Sequence, residues 1–217
     1  MMRSIPPWAS LLNPLFHLSV CLIGSAVFSG AATAADSPLE VIRSTTDQAL
    51  TVLRDSSGGG HTPSPQQLET MWAIVLPRFD TQQLAQRALG ANWQQLTAEQ
   101  QQEFTSLFIE LIKMSYSNTL KRYSKDSTIS FEQERIEGDQ AEVQTHISSP
   151  AHSAPFSVVY RLHLEGDGWL IYDVVAENVS LVQNYRNQFT RIMAKSSGAG
   201  LLEALKEKIA QLKAPPT

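Results

Sequence analysis

The chain has 217 residues, of which 42% are hydrophobic and 18% charged, and its 17 Lys and Arg against 21 Asp and Glu give a net charge of -4. This composition is too apolar and too mixed for a disordered or collagen-like chain, so it predicts one domain with a sizeable core. The negative balance argues against a surface that neutralises phosphate backbones, and nucleic acid is not an expected partner.

The first 34 residues have the pattern of a secretory signal peptide. Arg3 carries their only charge, the stretch 15–30 is mostly apolar, and an Ala-x-Ala sequence ends at Ala34. We therefore predict cleavage after Ala34, which leaves residues 35–217 as a single domain. A retained membrane anchor is the alternative, but the apolar run is short for a span of about 20 residues.

The only cysteine, Cys21, lies inside this segment. The mature chain would then have no thiol for a disulfide, for catalysis or for metal binding. The sequence Leu18-Ser19-Val20-Cys21 resembles a lipoprotein cleavage box, although Val20 is large for its position. An exported protein of this size without disulfides indicates a bacterial periplasm.

Apolar residues spaced three and four apart predict four helices between Ser37 and Tyr123. Asp80 is the expected N-cap of the third helix, which ends at Gly90. The residues 97–100, Thr-Ala-Glu-Gln, have the pattern of a capping box for a long fourth helix. The stripe of that helix comprises Phe104, Leu107, Phe108, Leu111, Ser115, Thr119 and Arg122, flanked by Ile112, Tyr116 and Tyr123.

From Thr128 the hydrophobic period changes from 3.6 to 2, which predicts strands. Turn sequences at 137–140 and 166–168 and a proline-bounded segment at 150–155 separate four alternating runs. Four strands joined in this order form an antiparallel meander, and the helices are the available cover for its apolar face. The third strand places Phe156, Val158, Tyr160, Leu162 and Leu164 on one face.

Two more helices are predicted after the strands. The residues 180–183 again resemble a capping box, and Val182, Tyr185 and Phe189 share one face of the helix that follows. Gly198 and Gly200 are expected to separate this helix from the last one. Helices before and after a strand region predict an α+β domain.

Residues with catalytic potential are sparse. No pair of histidines after residue 34 has the i, i+4 spacing with a carboxylate that a helical zinc motif needs. Tyr172 and Asp173 are neighbours on a strand and point to opposite faces, so they share no pocket without a bulge. The glycines at 58–60 lack the Lys-Ser/Thr of a phosphate loop and are predicted to be a linker. The histidines in question are His61, His146, His152 and His163.

Two segments carry a family pattern. The first is Phe79-Asp80-x-x-x-Leu84-Ala85-x-x-x-Leu89-Gly90-x-x-Trp93, followed by Leu96-Thr97-x-x-Gln100 and Phe104-x-x-x-Phe108. The second is Trp169-x-x-Tyr172-Asp173-Val174, followed by Val179-Ser180-Leu181-Val182-x-Asn184-Tyr185-Arg186-x-Gln188-Phe189. In these segments the chain resembles the MlaC family of periplasmic phospholipid carriers, also known as toluene-tolerance proteins. Asn178 departs from the family's usual Gly, but Asn tolerates the left-handed backbone better than other non-glycine residues.

The resemblance implies an NTF2-like α+β fold, in which a curved antiparallel sheet of about four strands and the N- and C-terminal helices enclose an apolar cavity. It implies a periplasmic phospholipid carrier, not an enzyme, that maintains the lipid asymmetry of the outer membrane. Its partners would be an outer-membrane lipoprotein complex and an inner-membrane ABC transporter complex with its substrate-binding MCE subunit. Phospholipid would be cargo, and no cofactor is expected. An NTF2-like isomerase or hydratase and a scaffold or chaperone without a cavity are the alternatives.

If lipid tails lie between the sheet and the helices, the residues that contact them are those on the apolar faces of the predicted strands and helices. Arg186 is added because a guanidinium matches phosphate oxygens with paired hydrogen bonds, with a surface ion pair to Glu177 as the alternative. The predicted lipid-binding residues are Phe108, Leu111, Ile112, Tyr116, Phe156, Val158, Tyr160, Leu162, Val182, Tyr185 and Arg186.

Overall fold

Helices come first, strands follow and helices return, as the sequence predicts. A computed structural model describes residues 36–54, 63–123, 127–148 and 154–214, without the side chains of 118–126. The helices are α1 (Pro38–Arg54), α2 (Pro65–Val75), α3 (Thr81–Leu89), α4 (Ala98–Tyr123), α5 (Leu181–Met193) and α6 (Gly198–Lys213). The strands are β1 (Thr128–Glu137), β2 (Gln140–Ser148), β3 (Phe156–Glu165), β4 (Gly168–Ala176) and β5 (Val179–Ser180). Short 3-10 segments follow α2 at Leu76–Arg78 and α3 at Gly90–Gln95.

Some of the predictions fall on other parts of the chain. The predicted signal peptide at 1–34, the linker glycines at 58–60, and His61 and His152 lie outside the described residues. The side chains of Thr119, Arg122 and Tyr123 also lie outside them. Among the described residues, no helix combines the length and the apolar character that crossing a membrane requires.

The helix ends follow local chemistry. Asp80 Oδ1 accepts a hydrogen bond from the Gln83 backbone N–H at 2.8 Å and caps α3. Thr97 and Gln100 form the predicted reciprocal capping box before α4. At α5 only half of the predicted box forms. Ser180 Oγ accepts from the Gln183 backbone N–H, but the Gln183 side chain donates to Asn187 and is not seen to accept from the Ser180 backbone N–H.

The predicted break at Gly198 and Gly200 is wrong. Both glycines belong to the first turn of α6, and the interruption between the two helices covers residues 194–197. Ser197 is the N-cap, and its Oγ accepts from the Gly200 N–H at 3.4 Å. The hydroxyl therefore fixes the start of the helix, which tolerates the glycines in its first turn.

The five strands form one antiparallel sheet in the order β1-β2-β3-β4-β5. The sequence predicts four of them, and the fifth is a two-residue strand that returns beside β4. The return is made at Glu177 and Asn178, which have φ angles of 48° and 64°. The left-handed turn expected at Asn178 is therefore present without the usual Gly.

A helical core is formed by residues of α3 to α6 and of the segment that joins α3 to α4, with no residue from the strands. It contains stacked and edge-to-face aromatic rings, with Phe108 4.9 Å from Tyr185 and 5.3 Å from Phe189 between ring centroids. Its helix α4 packs mainly against α6 and α3, not across the sheet. The helical core comprises Leu84, Ala85, Ala88, Leu89, Trp93, Leu96, Phe104, Phe108, Leu111, Val182, Tyr185, Phe189, Met193, Leu201, Leu202, Leu205 and Ile209.

A second core lies between α1 and the sheet. Val41 and Ile42 of α1 contact Val143 and Leu162 on β2 and β3, and Trp169 closes the group on β4. A third cluster joins α1 to α2 through Ala49, Leu53, Leu68, Met71 and Trp72. The α+β prediction is confirmed; α1 packs on β1 and β2, while α3 and α5 contact β4.

Candidate functional site

An apolar cavity of about 300 Å³ lies between the sheet and helices α1, α2 and α4. No Asp, Glu, Lys, Arg or His stands on the part of its wall that the structure describes. The wall residues are Ile42, Thr45, Thr46, Ala49, Leu50, Leu53, Met71, Trp72, Val75, Phe79, Ile112, Tyr116, Ser127, Ile129, Ile147, Tyr160, Ile171, Val174 and Leu181.

The wall is formed by the apolar faces of helices and strands, which recur with periods of 3.6 and 2 residues in the sequence. Helix α1 presents one face, from Ile42 to Leu53, because its small and apolar residues recur three and four apart. The sheet adds one face of its strands, where Ile129 and Ile147 are partners across β1 and β2. A bulge in β4 brings both Ile171 and Val174 to the wall, since the pairing with β3 shifts between them.

Three of the predicted lipid-binding residues line the cavity. Ile112 and Tyr116 reach it from the middle of α4, and Tyr160 reaches it from β3. Burial raises the pKa of the Tyr160 hydroxyl, and a hydrogen bond with Thr145 acts against that rise. Burial also raises the pKa of Tyr116, with a smaller contribution from Tyr185. Both phenols are therefore neutral around pH 7.

The other predicted residues lie elsewhere. Phe108, Leu111, Val182 and Tyr185 belong to the helical core, because α4 and α5 turn these faces towards α3 and α6. Leu162 is fully buried between β3 and α1. None of these residues is on the wall of this cavity, and neither are the half-buried Phe156 and the buried Val158, so their contact with lipid stays a prediction.

Arg186 makes a contact that the sequence does not predict. Its Nε donates to the Arg87 backbone carbonyl at 2.8 Å, and its Nη2 donates to the same oxygen. That carbonyl belongs to the last turn of α3, where backbone acceptors lack partners within the helix. The guanidinium therefore links α5 to the end of α3, and it is not on the cavity wall. Among the acids whose side chains the structure describes, neither Glu177 nor any other forms an ion pair with Arg186.

Helices α1 and α2 are the part of the site that sequence reasoning missed. Their apolar positions are visible in the sequence, but α1 and α2 precede the strands by many residues and carry no signal for the face they cover. The buried Thr45 and the half-buried Thr46 in an otherwise apolar face of α1 are the one local sign of a wall that is not a close-packed core.

Asp173 anchors the start of α5 beside the cavity. Its Oδ1 accepts from the backbone N–H groups of Val174 and Val182, and its Oδ2 accepts from Ser180 Oγ at 2.7 Å. Tyr172 points the other way and donates to Gln140. The two neighbours share no pocket despite the bulge, so the pair has a structural role.

One group of three potential metal ligands occurs among the described residues. Asp80 Oδ2 lies 3.0 Å from His163 Nε2, and Glu165 Oε2 lies 3.9 Å from the same nitrogen. The fold brings Asp80 and His163 together from distant parts of the sequence. Because Asp80 already caps α3 and binds the imidazole, its environment is explained by contacts within the protein.

The fold and this site define a class, an α+β protein with an antiparallel sheet and an apolar cavity beneath its N-terminal helices. Within that class, the chain belongs to the MlaC protein family, whose family model matches residues 43–207.

Relatives agree with this assignment. The intermembrane phospholipid transport system binding protein MlaC of Haemophilus influenzae is 24% identical over 141 residues, which cover 63% of this chain and 65% of that protein, slightly less than two thirds. Toluene tolerance protein ttg2D of Pseudomonas putida is 22% identical over 176 residues, or 81% of each chain. A phospholipid-binding protein from Ralstonia solanacearum, solved in complex with a phospholipid, matches with a TM-score of 0.73 and 25% identity over 82% of this chain and 100% of that one.

Proposed function

We propose that this protein is a periplasmic phospholipid carrier that holds acyl chains in the cavity between the sheet and helices α1, α2 and α4. The observation that supports it best is the wall itself, which is apolar over nearly its whole surface. The resemblance to a Ralstonia protein solved with a phospholipid points to the same ligand class.

Energetics favour a carrier that shields lipid without trapping it. Two acyl chains of about 16 carbons hold about 32 methylenes, and at about 0.8 kcal/mol each their transfer from water is worth about 25 kcal/mol. The lipid comes from a bilayer that is already as apolar as the cavity, so the net transfer is close to balance. Net direction then comes from partners at each membrane.

The cavity must enlarge to hold two chains. Its volume of about 300 Å³ is at the lower end of the range of about 300–1,000 Å³ for small-molecule sites. Helix α1 packs on β1 and β2, and α2 packs on α1; neither shares the backbone ladder of the sheet, so they move outwards at a lower cost than any strand. We propose that they separate from the sheet when lipid enters.

The predicted export signal and the family together support a periplasmic location and a role between the two membranes. It would take phospholipid between an outer-membrane lipoprotein complex and an inner-membrane ABC transporter complex with its MCE subunit. That traffic would maintain the asymmetry of the outer membrane. An isomerase or hydratase would need a carboxylate or a pair of tyrosines aimed into the cavity. The described wall offers no carboxylate, and burial raises the pKa of its two tyrosines, Tyr116 and Tyr160, which disfavours either as a base. A scaffold without a cavity does not fit the open space beneath α1.

Native mass spectrometry of protein purified from cells tests the proposal. We expect co-purified phospholipid on the wild type and much less on Ala49→Phe, because Ala49 is on the wall and a phenyl ring there fills the space. Ala204→Phe is the matched control, since Ala204 lies on α6 at a separate groove. A wild type without lipid, or an Ala49→Phe variant with unchanged lipid, would contradict the assignment.

A further inference from the structure

Two polar groups on the apolar wall have no partner among the described residues. They are the indole Nε1 of Trp72 and the hydroxyl Oγ of Ser127. Trp72 is 7% exposed and Ser127 is 2% exposed, so bulk water does not satisfy them. Leaving a buried donor unpaired destabilises a protein, and such groups in native structures are uncommon.

Two other polar side chains on the same wall, those of Thr45 and Tyr160, are satisfied within the protein. Thr45 Oγ1 donates to the Val41 carbonyl at 2.6 Å, as a helical threonine can without a ligand. The Tyr160 hydroxyl has a hydrogen bond with Thr145. Trp72 and Ser127 therefore differ from Thr45 and Tyr160. Both residues line the cavity, but their polar atoms are covered, so lipid reaches these atoms only when α1 and α2 move outwards as proposed above.

The chemistry of these two groups restricts what they bind. An indole N–H is a donor only, so its partner must be an acceptor, and a serine hydroxyl can donate to the same kind of atom. Apolar side chains such as Leu53 and Met71 share the wall with them. A phosphate would bring a charge into that environment at a high desolvation cost, whereas a neutral carbonyl would not.

Resting on the proposed function, we infer that Trp72 and Ser127 bind the ester carbonyls that join the acyl chains of a phospholipid to its glycerol. The cavity then recognises the ester linkage and not only the length of the tails. An ether-linked lipid has the same chains and head group but no carbonyl, so it leaves the Trp72 N–H unpaired.

The test loads purified, delipidated protein from vesicles that contain equal amounts of two phosphatidylethanolamines with identical chains, one ester-linked and one ether-linked. Native mass spectrometry then gives the ratio of the two bound lipids. We expect the wild type to prefer the ester lipid by about tenfold, as two neutral hydrogen bonds allow. Trp72→Phe combined with Ser127→Ala should bring the ratio close to one, because it keeps an aromatic ring and removes both donors.

Trp93→Phe is the matched control, since Trp93 has the same 7% exposure but lies in the helical core. It should keep the ester preference. A wild type that binds both lipids equally would overturn the inference even if the double variant failed to fold, and so would a folded double variant that keeps the preference. Those two results leave the carrier proposal standing, whereas binding of neither lipid would refute the carrier proposal itself.

Discussion

Asp173 is the residue whose removal should damage the fold most clearly. It is 4% exposed, and its carboxylate joins β4 to the first turn of α5. Asp173→Ala leaves the Ser180 hydroxyl and the Val182 N–H without their acceptor inside the protein. It also removes the more distant of two acidic partners of Arg161, whose Nη1 lies 3.4 Å from Asp173 Oδ2 and whose Nε lies 3.0 Å from Glu142 Oε1.

The expected loss follows from those contacts. Hydrogen bonds to a charged group contribute about 1.5–3 kcal/mol each, and two of them cross from β4 to the segment that begins α5. The Arg161 contact is long and partly exposed, so it adds less than about 1 kcal/mol. We expect Asp173→Ala to lower the free energy of unfolding by about 4 kcal/mol, within the range for breaking a buried charged pair. Asp173→Asn keeps one acceptor oxygen and should cost about 2 kcal/mol.

Urea unfolding followed by far-UV circular dichroism measures these values, with the m-value as a check on two-state behaviour. Asp167→Ala is the control, because Asp167 is exposed in the turn between β3 and β4 and should change stability by less than about 0.5 kcal/mol. A loss below about 1.5 kcal/mol for Asp173→Ala would refute the reasoning, since the carboxylate would not then be the link between strand and helix.

Three further substitutions probe single features of the fold. Arg186→Ala should lower the free energy of unfolding by about 1–2 kcal/mol in urea, because the Arg87 carbonyl loses its partner; reduced phospholipid at unchanged stability would instead support a phosphate contact. Asn178→Gly should raise the free energy of unfolding by about 0.5 kcal/mol, because glycine adopts the φ of 64° without a steric penalty. A lower free energy of unfolding for this variant would contradict the reasoning. Stability should fall above about pH 10, where tyrosines ionise in the unfolded chain but buried ones resist; Tyr160→Phe should make that fall less steep, and an unchanged slope would show that Tyr160 ionises freely.

Features set by neighbouring residues were predictable from the sequence. The caps at Asp80 and Thr97 and the end of α3 at Gly90 depend on a side chain and a backbone group a few positions apart, so their pattern is local. The alternation of apolar and polar residues along each strand was equally informative. In a sheet with one buried face, this alternation determines which face each side chain is on.

Features set by distant contacts were not predictable. The stripe of α4 correctly predicted that Phe108 is buried, but burial against another helix and burial against a ligand give the same pattern. Arg186 was assigned to a phosphate because nothing in the sequence shows that the Arg87 carbonyl lies beside it. The wall contributed by α1 depends on which helix packs against the sheet, and that packing is determined by contacts throughout the fold.

The buried residues of the helical core are not those that line the cavity, and this difference affects which positions tolerate substitution. Interlocked rings such as those of Phe104, Phe108 and Phe189 demand particular shapes, because their centroids lie 5.2–5.7 Å apart at defined angles. Acyl chains have no fixed shape, so wall positions such as Ile129 and Ile147 need only remain apolar to hold them. We therefore expect exchanges among aliphatic residues to be tolerated at these wall positions and to be destabilising in the aromatic cluster.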